Sequence, residues 1–199
     1  MKKMILAATM MMMVAMSVSA QREVGSLTLQ PKFGGNISVV CMDDKNLDYE
    51  KAGGMVAGAE LEYRMAKWFA LSAGAMYSQE GGKTKIKDLN VVEKVNLDYI
   101  AVPVMANFYI WKGLALKVGI EPAFKMHEKY DVPASLNGTK YMFGEAKSFD
   151  LRTPIGISYD FGGLTLDLRL NAGRTKVMKD KDFINGSGQL TVGYKFALK

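Results

Sequence analysis

The chain is poor in the residues that most catalytic and covalent devices need. Its 199 residues include one cysteine, Cys41, and one histidine, His127. A single cysteine excludes an intrachain disulfide. A lone histidine beside Glu128, with no second histidine or paired cysteine, leaves no ligand spacing suited to a transition metal. No nucleophile elbow or phosphate-binding loop is present: the stretch Gly-Gly-Lys-Thr-Lys from Gly81 lacks the strand-loop-helix frame and reads as a flexible loop. Asp43 to Asp48, Asp-Asp-Lys-Asn-Leu-Asp, lacks the glycine and distal glutamate of a calcium loop and reads as solvated charge. No helical period competes anywhere after the first twenty residues. Nor is there a later apolar run near the roughly 20 residues a helical span needs; the oiliest stretch, Tyr99 to Trp111, is interrupted by Pro103 and Asn107.

At the N-terminus, Lys2 and Lys3 precede an apolar stretch from Met4 to Val14, and Val18-Ser19-Ala20 supplies small residues before Gln21. This is the pattern of a cleavable secretory signal over residues 1–20, leaving residues 21–199 as the exported domain. Losing Lys2 and Lys3 lowers the formal charge from +6 to +4, a balance that does not call for nucleic acid.

Period-two alternation fills the rest. Leu164 to Leu170 places leucine at every even position and Thr165, Asp167 and Arg169 between them. Side chains alternate across a strand, so one face is oily and the other charged. The same pattern recurs over Leu27–Ile37, Met55–Tyr63, Phe69–Tyr77, Leu97–Tyr109, Leu114–Phe124, Leu151–Phe161 and Gln189–Phe196. Eight strands are expected. Short turns near Met65–Lys67, Trp111–Gly113 and Gly162–Gly163 alternate with long polar segments at Val39–Gly54, Gln79–Lys94, Lys125–Ser148 and Arg174–Ser187. That is an up-and-down meander, a form shared by transmembrane barrels and soluble lipocalin-type barrels.

Three observations turn the leucines outward. The polar face carries full charges in mid-strand: Glu60, Glu62, Arg64, Lys117, Glu121, Arg152, Asp167 and Arg169. Gly34, Gly58, Gly74, Gly119, Gly156, Gly173 and Gly193 share that face, as a narrow barrel interior requires; on an open face they would only weaken the sheet. Aromatic residues gather at the short-turn end: Tyr63, Trp68, Phe69, Tyr109, Trp111, Tyr159, Phe161, Tyr194 and Phe196 form an expected membrane-interface girdle, with Tyr77, Tyr99, Phe124 and Phe149 as its counterpart. A closed barrel also pairs its backbone strand to strand, the condition for surviving in lipid.

The segments Asp98–Ile110, Gly113–Phe124, Phe149–Gly173 and Gly188–Phe196 resemble the small bacterial outer-membrane β-barrel proteins of the porin-like or PorT-like group over nearly the whole exported chain. The resemblance implies residence in the outer membrane of a Gram-negative bacterium, no enzymatic activity, and a terminal aromatic strand read by the barrel-assembly machinery. Tyr194 and Phe196 match that signal, and Ala197-Leu198-Lys199 continue past it.

The expected fold is therefore all-β: an eight-stranded antiparallel up-and-down transmembrane barrel with short periplasmic turns and long extracellular loops. Eight strands leave an interior filled by side chains, and the eight charges named above are expected to form a paired polar plug. No catalytic, cofactor or metal residues are expected. Lys83, Lys85 and Lys87, with Arg174, Lys176, Lys179 and Lys181, are candidates to meet lipopolysaccharide phosphates, and outer-membrane lipids are the expected surroundings. The function read from the sequence is a structural, adhesion or surface-interaction role carried by the loops, Lys125–Ser148 the longest. The alternatives are a narrow channel or transport accessory, and a soluble lipocalin-like carrier.

Overall fold

The computed structural model of the protein describes residues 23–41, 47–86, 91–131, 147–175 and 184–198. Ten strands appear in order: β1 (Leu27–Cys41), β2 (Leu47–Ala66), β3 (Phe69–Ile86), β4 (Val91–Ala101), β5 (Val104–Trp111), β6 (Leu114–Asp131), β7 (Phe149–Phe161), β8 (Leu164–Gly173), β9 (Ile184–Tyr194) and β10 (Phe196–Ala197). They occupy eight positions in one antiparallel wall. β4 and β5 both lie between β3 and β6, and β9 and β10 both pair with β1, which closes the barrel. The β4/β5 break falls at Pro103, which has no N–H to give the ladder. Backbone bonds bridge it on both sides, from Val102 N to Pro122 O (2.8 Å) and from Gly74 N to Pro103 O (3.1 Å).

The short turns have the chemistry their geometry demands. Between β7 and β8, Gly162 and Gly163 have φ of 56° and 94°. Positive φ at both central positions matches the twist of a two-residue hairpin and is cheap only for glycine.

The outer wall is apolar. Along β8, Leu166, Leu168 and Leu170 are exposed, Leu170 at 64%, while Thr165, Asp167 and Arg169 between them are buried, Asp167 at 1%. Phe33, Ile37, Leu61, Leu71, Ile155, Ile157, Leu190 and Val192 continue the exposed band around the cylinder. Inward glycines permit the curvature. A Cβ on Gly34 would lie 2.0 Å from the Leu190 carbonyl oxygen, and one on Gly74 would lie 2.3 Å from that of Ala59 and 2.7 Å from Glu60 Cγ. The neighbouring strand's backbone thus approaches these positions more closely than any side chain would allow.

Strands run further than the alternation indicated. Most of the described part of the segments read as long loops is strand: β2 begins at Leu47, β3 reaches Ile86, β6 reaches Asp131 and β9 begins at Ile184. The Gly-Gly-Lys-Thr-Lys stretch lies in β3, and His127 is exposed on β6 opposite Asp98 rather than in a loop. Beyond the hydrocarbon neither face needs to be oily, so the period-two signal fades while backbone pairing persists. The expected signal over residues 1–20 lies outside the described residues, as do 43–46 of the acidic stretch.

Candidate functional site

The chemistry of the chain is concentrated inside the cylinder. Among the described residues, six cations (Lys32, Arg64, Lys117, Arg152, Arg169, Lys195) and six carboxylates (Glu60, Glu62, Glu80, Glu121, Asp150, Asp167) are buried there. The balance is what a low-dielectric interior demands, since an isolated buried charge is strongly unfavourable.

The central layer joins four strands. Lys32 Nζ lies 2.8 Å from both Glu60 Oε2 and Asp167 Oδ2, and Lys117 Nζ lies 2.6 Å from the same Asp167 oxygen. Arg169 Nη2 donates to Glu60 Oε1 at 2.7 Å, and its Nη1 lies 3.6 Å from Glu121 Oε2. Space for these long groups comes from the glycines. Lys32 is in register with Gly58 and Gly193, Glu60 with Gly74, and Lys117 and Arg169 both with Gly156.

Toward the short turns, Lys195 binds Asp160 Oδ2 (2.7 Å), Glu62 Oε1 (3.1 Å) and the Tyr109 hydroxyl (2.8 Å). Tyr109 donates in turn to Glu62 Oε1 at 2.7 Å, and Asn107 Nδ2 donates to Glu62 Oε2 at 3.0 Å. Arg64 makes no ion pair among the described residues; its guanidinium carbon stands 3.6 Å above the Tyr109 ring, a desolvated cation–π contact. Toward the other end, Arg152 binds Glu80 Oε1 (2.6 Å) and Asp150 Oδ2 (2.8 Å), lies 3.5 Å from Glu121, and stacks 4.6 Å from the Tyr99 ring centroid. Beside that layer the wall is apolar: Val95, Leu97, Tyr99 and Met105 are all 0% exposed.

All eight charges that the alternation assigned to the lumen point inward, and seven of them meet in two clusters, one joined through Glu121 that takes in Lys32, Glu80 and Asp150, the other formed by Glu62 with Asp160 and Lys195. Lys32, Asp160 and Lys195 carry the same alternation signal as their neighbours and were readable by it. Glu80 and Asp150 sit at the margins of segments that read as loop, where the signal had already lapsed.

Two aromatic residues differ from the girdle expectation. Tyr109 turns inward and holds Glu62 and Lys195, in step with Asn107 two residues before it and in register with the buried Ala115; the slip that follows, between Tyr109 and Trp111, puts Ile110 and Trp111 both outside. Tyr99 is fully buried, next to a slip between Asp98 and Tyr99. The others face outward: Trp68 is 61% and Trp111 67% exposed, with Tyr63, Tyr159, Phe161 and Phe196 exposed and Tyr194 half-buried 4.7 Å from the Phe196 ring. At the opposite end Tyr77, Ile100, Phe124 and Phe149 form one row across four strands. Lys83 and Lys85 lie in β3, in register with Glu50 and Asp48 of β2, and Lys87 lies outside the described residues.

Residues 19–178 match the family model described as outer membrane protein beta-barrel domain. No curated protein matches the chain in sequence. Two solved structures share the fold. Ail, the attachment invasion locus protein of Yersinia pestis, solved in complex with the heparin analogue sucrose octasulfate, is 15% identical; the match covers 87% of this chain and 100% of Ail with a TM-score of 0.51. The outer membrane protein OprG of Pseudomonas aeruginosa is 10% identical, with 89% of this chain and 98% of OprG covered and a TM-score of 0.51. The soluble lipocalin-like alternative falls with the oily outer face and the charged interior.

Proposed function

This chain belongs to the family of outer-membrane protein β-barrel domains, and we propose that within it the protein is a sealed, non-enzymatic barrel whose work is done outside the lumen, at the extracellular end of its strands. The observation that carries this reading is the plug. Lys32, Glu60, Lys117, Asp167 and Arg169, from four strands, meet in one layer with contacts of 2.6 to 2.8 Å. A second charged layer lies below and a third above, the last flanked by Leu97 and Tyr99. A path for solutes would have to break several buried pairs at once, each loss costing about 3–5 kcal/mol when one partner goes unpaired.

With the interior closed, interaction falls to the tall hairpins. β2, β3 and β6 have 20, 18 and 18 residues, against the roughly 9–11 that cross the hydrocarbon. They raise a rigid platform above the membrane, suited to attachment or surface contact. Lys83, Lys85 and Lys87 fall in or beyond the extended part of β3, where we place contacts to lipopolysaccharide phosphates. The same reading includes export by a leader ending at Ala20 and insertion by the barrel-assembly machinery through the strand ending in Tyr194 and Phe196. Planar-bilayer recording tests it. The purified, refolded protein should show no stable conductance; long-lived large channels from the wild-type chain would instead support the transport reading.

A further inference from the structure

One cation lies on the opposite side of the wall from all those described above. Arg174 follows the end of β8, and its side chain is exposed. Its backbone N–H donates to Leu151 O at 2.7 Å, and its Nε donates to Thr153 Oγ1 at 3.0 Å. The strand β7 descends from Phe149, so Leu151 and Thr153 are successive outward positions below that ring, on the face that carries Ile155 and Ile157 into the bilayer. The Thr153 bond therefore draws the guanidinium down toward the hydrocarbon, below the row of Phe124 and Phe149, when a free arginine there would reach up into water. The local frame is fixed. Thr175 Oγ1 donates to Asp150 Oδ1 (2.8 Å) and accepts from Leu151 N (3.0 Å).

Among the described residues no carboxylate pairs with Arg174, and only its Nε is engaged. The two terminal amino groups of this exposed side chain have no such bond among the described residues. Around them the wall is low: Ala172 is the next outward residue on β8, in register with Gly186 of β9, and Leu170 below it is in register with Gly188. We propose that Arg174, oriented by Thr153, binds the phosphate of an outer-leaflet lipid, with its acyl chains lying along Ala172, Gly186 and Gly188. A planar fork with two free N–H pairs fits a phosphate bidentately. A lipid-facing arginine is costly at the bilayer midplane and far less so near the interface, so an anion at this height removes the remaining penalty. The inference rests on the chain's place in the membrane and not on the plug or on the β3 lysines.

The test uses the full chain refolded into phosphatidylcholine vesicles containing lipopolysaccharide as the probe, with retained lipid phosphorus measured after detergent extraction. Arg174→Gln is expected to reduce retained lipopolysaccharide about tenfold, the loss of one charge-assisted fork. Arg174→Lys, which keeps the charge without the fork, should fall between. Thr153→Val keeps the cation and frees its orientation, so it should lower retention severalfold with unchanged heat-modifiable gel mobility; it carries the test if Arg174→Gln fails to fold. The effect of Arg174→Gln should persist in a Lys83/Lys85/Lys87→Gln background, which separates the two sites. Equal retention by wild type, Arg174→Gln and Thr153→Val overturns the proposal. So does full displacement of the lipid by millimolar inorganic phosphate, which would make the site one for free anions.

Discussion

Asp167 shows how much one side chain can hold when it is sealed from water. A single oxygen of its carboxylate receives Lys32 at 2.8 Å and Lys117 at 2.6 Å, drawing together β1, β6 and β8, which are remote in sequence. Removing it leaves Lys32 and Lys117 to share Glu60, at 2.8 and 3.6 Å, with one buried cation uncompensated, and an uncompensated buried charge costs far more than a lost pair gains. Asp167→Ala should lower the unfolding free energy by about 3–5 kcal/mol, measured as the urea midpoint of the folded band on unboiled gels. The double variant Asp167→Ala/Lys117→Met, which removes a cation along with the carboxylate, should recover a substantial part of that loss. A double variant at least as unstable as the single one would contradict pairing as the reason these charges coexist. Legibility at this scale follows the alternation. Asp167 and Arg169 stand between leucines and announce their face, whereas Tyr99 and Leu97 are equally buried on a strand whose other face carries Asn96 and Asp98, so a rule that turns the apolar face outward points the wrong way there.

Along the strands, the placement of glycine and the slips in register decide what alternation alone does not. Gly34 and Gly35 are neighbours in β1 with opposite surroundings. A Cβ on Gly34 would lie 2.0 Å from the Leu190 carbonyl oxygen, while one on Gly35 would meet nothing nearer than the Gly54 carbonyl at 3.7 Å. Gly34→Val should therefore give little or no heat-modifiable folded form after refolding, and Gly35→Val should fold as the wild type does, its side chain entering lipid. Equal yields from both would remove the close strand approach as the reason for glycine there. The slips are the harder matter. Between Tyr109 and Trp111 one extra residue turns Trp111 outward beside Ile110, while Tyr109 stays on the inward face of Asn107 and holds Glu62 and Lys195; a β-bulge of this kind re-aims a side chain without leaving a compositional trace. The extended hairpins were hidden for a different reason: the outer parts of β2, β3 and β6 carry polar and charged residues at neighbouring positions, and the hydrophobic contrast that marks a strand disappears.

The whole molecule is a cylinder turned inside out relative to a soluble barrel, with hydrocarbon-facing leucines outside and neutralised charge within. Its family membership and its likeness in fold to Ail and OprG agree with that arrangement. The number of strand positions, the short turns and the inward charges were readable because lipid imposes one rule on every strand at once; the partners of Arg152 in the plug's third layer, Glu80 and Asp150, and the Thr153 bond that holds Arg174 were not, because they depend on which strands meet. The most direct measurement is the accessibility of nitroxide labels placed singly along β8 in a Cys41→Ser background, with the protein reconstituted in vesicles. Labels at Leu166, Leu168 and Leu170 should be relaxed strongly by oxygen, which concentrates in lipid, and hardly at all by a water-soluble nickel complex. A label at Thr165 should be sheltered from both. Strong relaxation by the nickel complex at Leu166 and Leu168 would place that face in water and contradict the account.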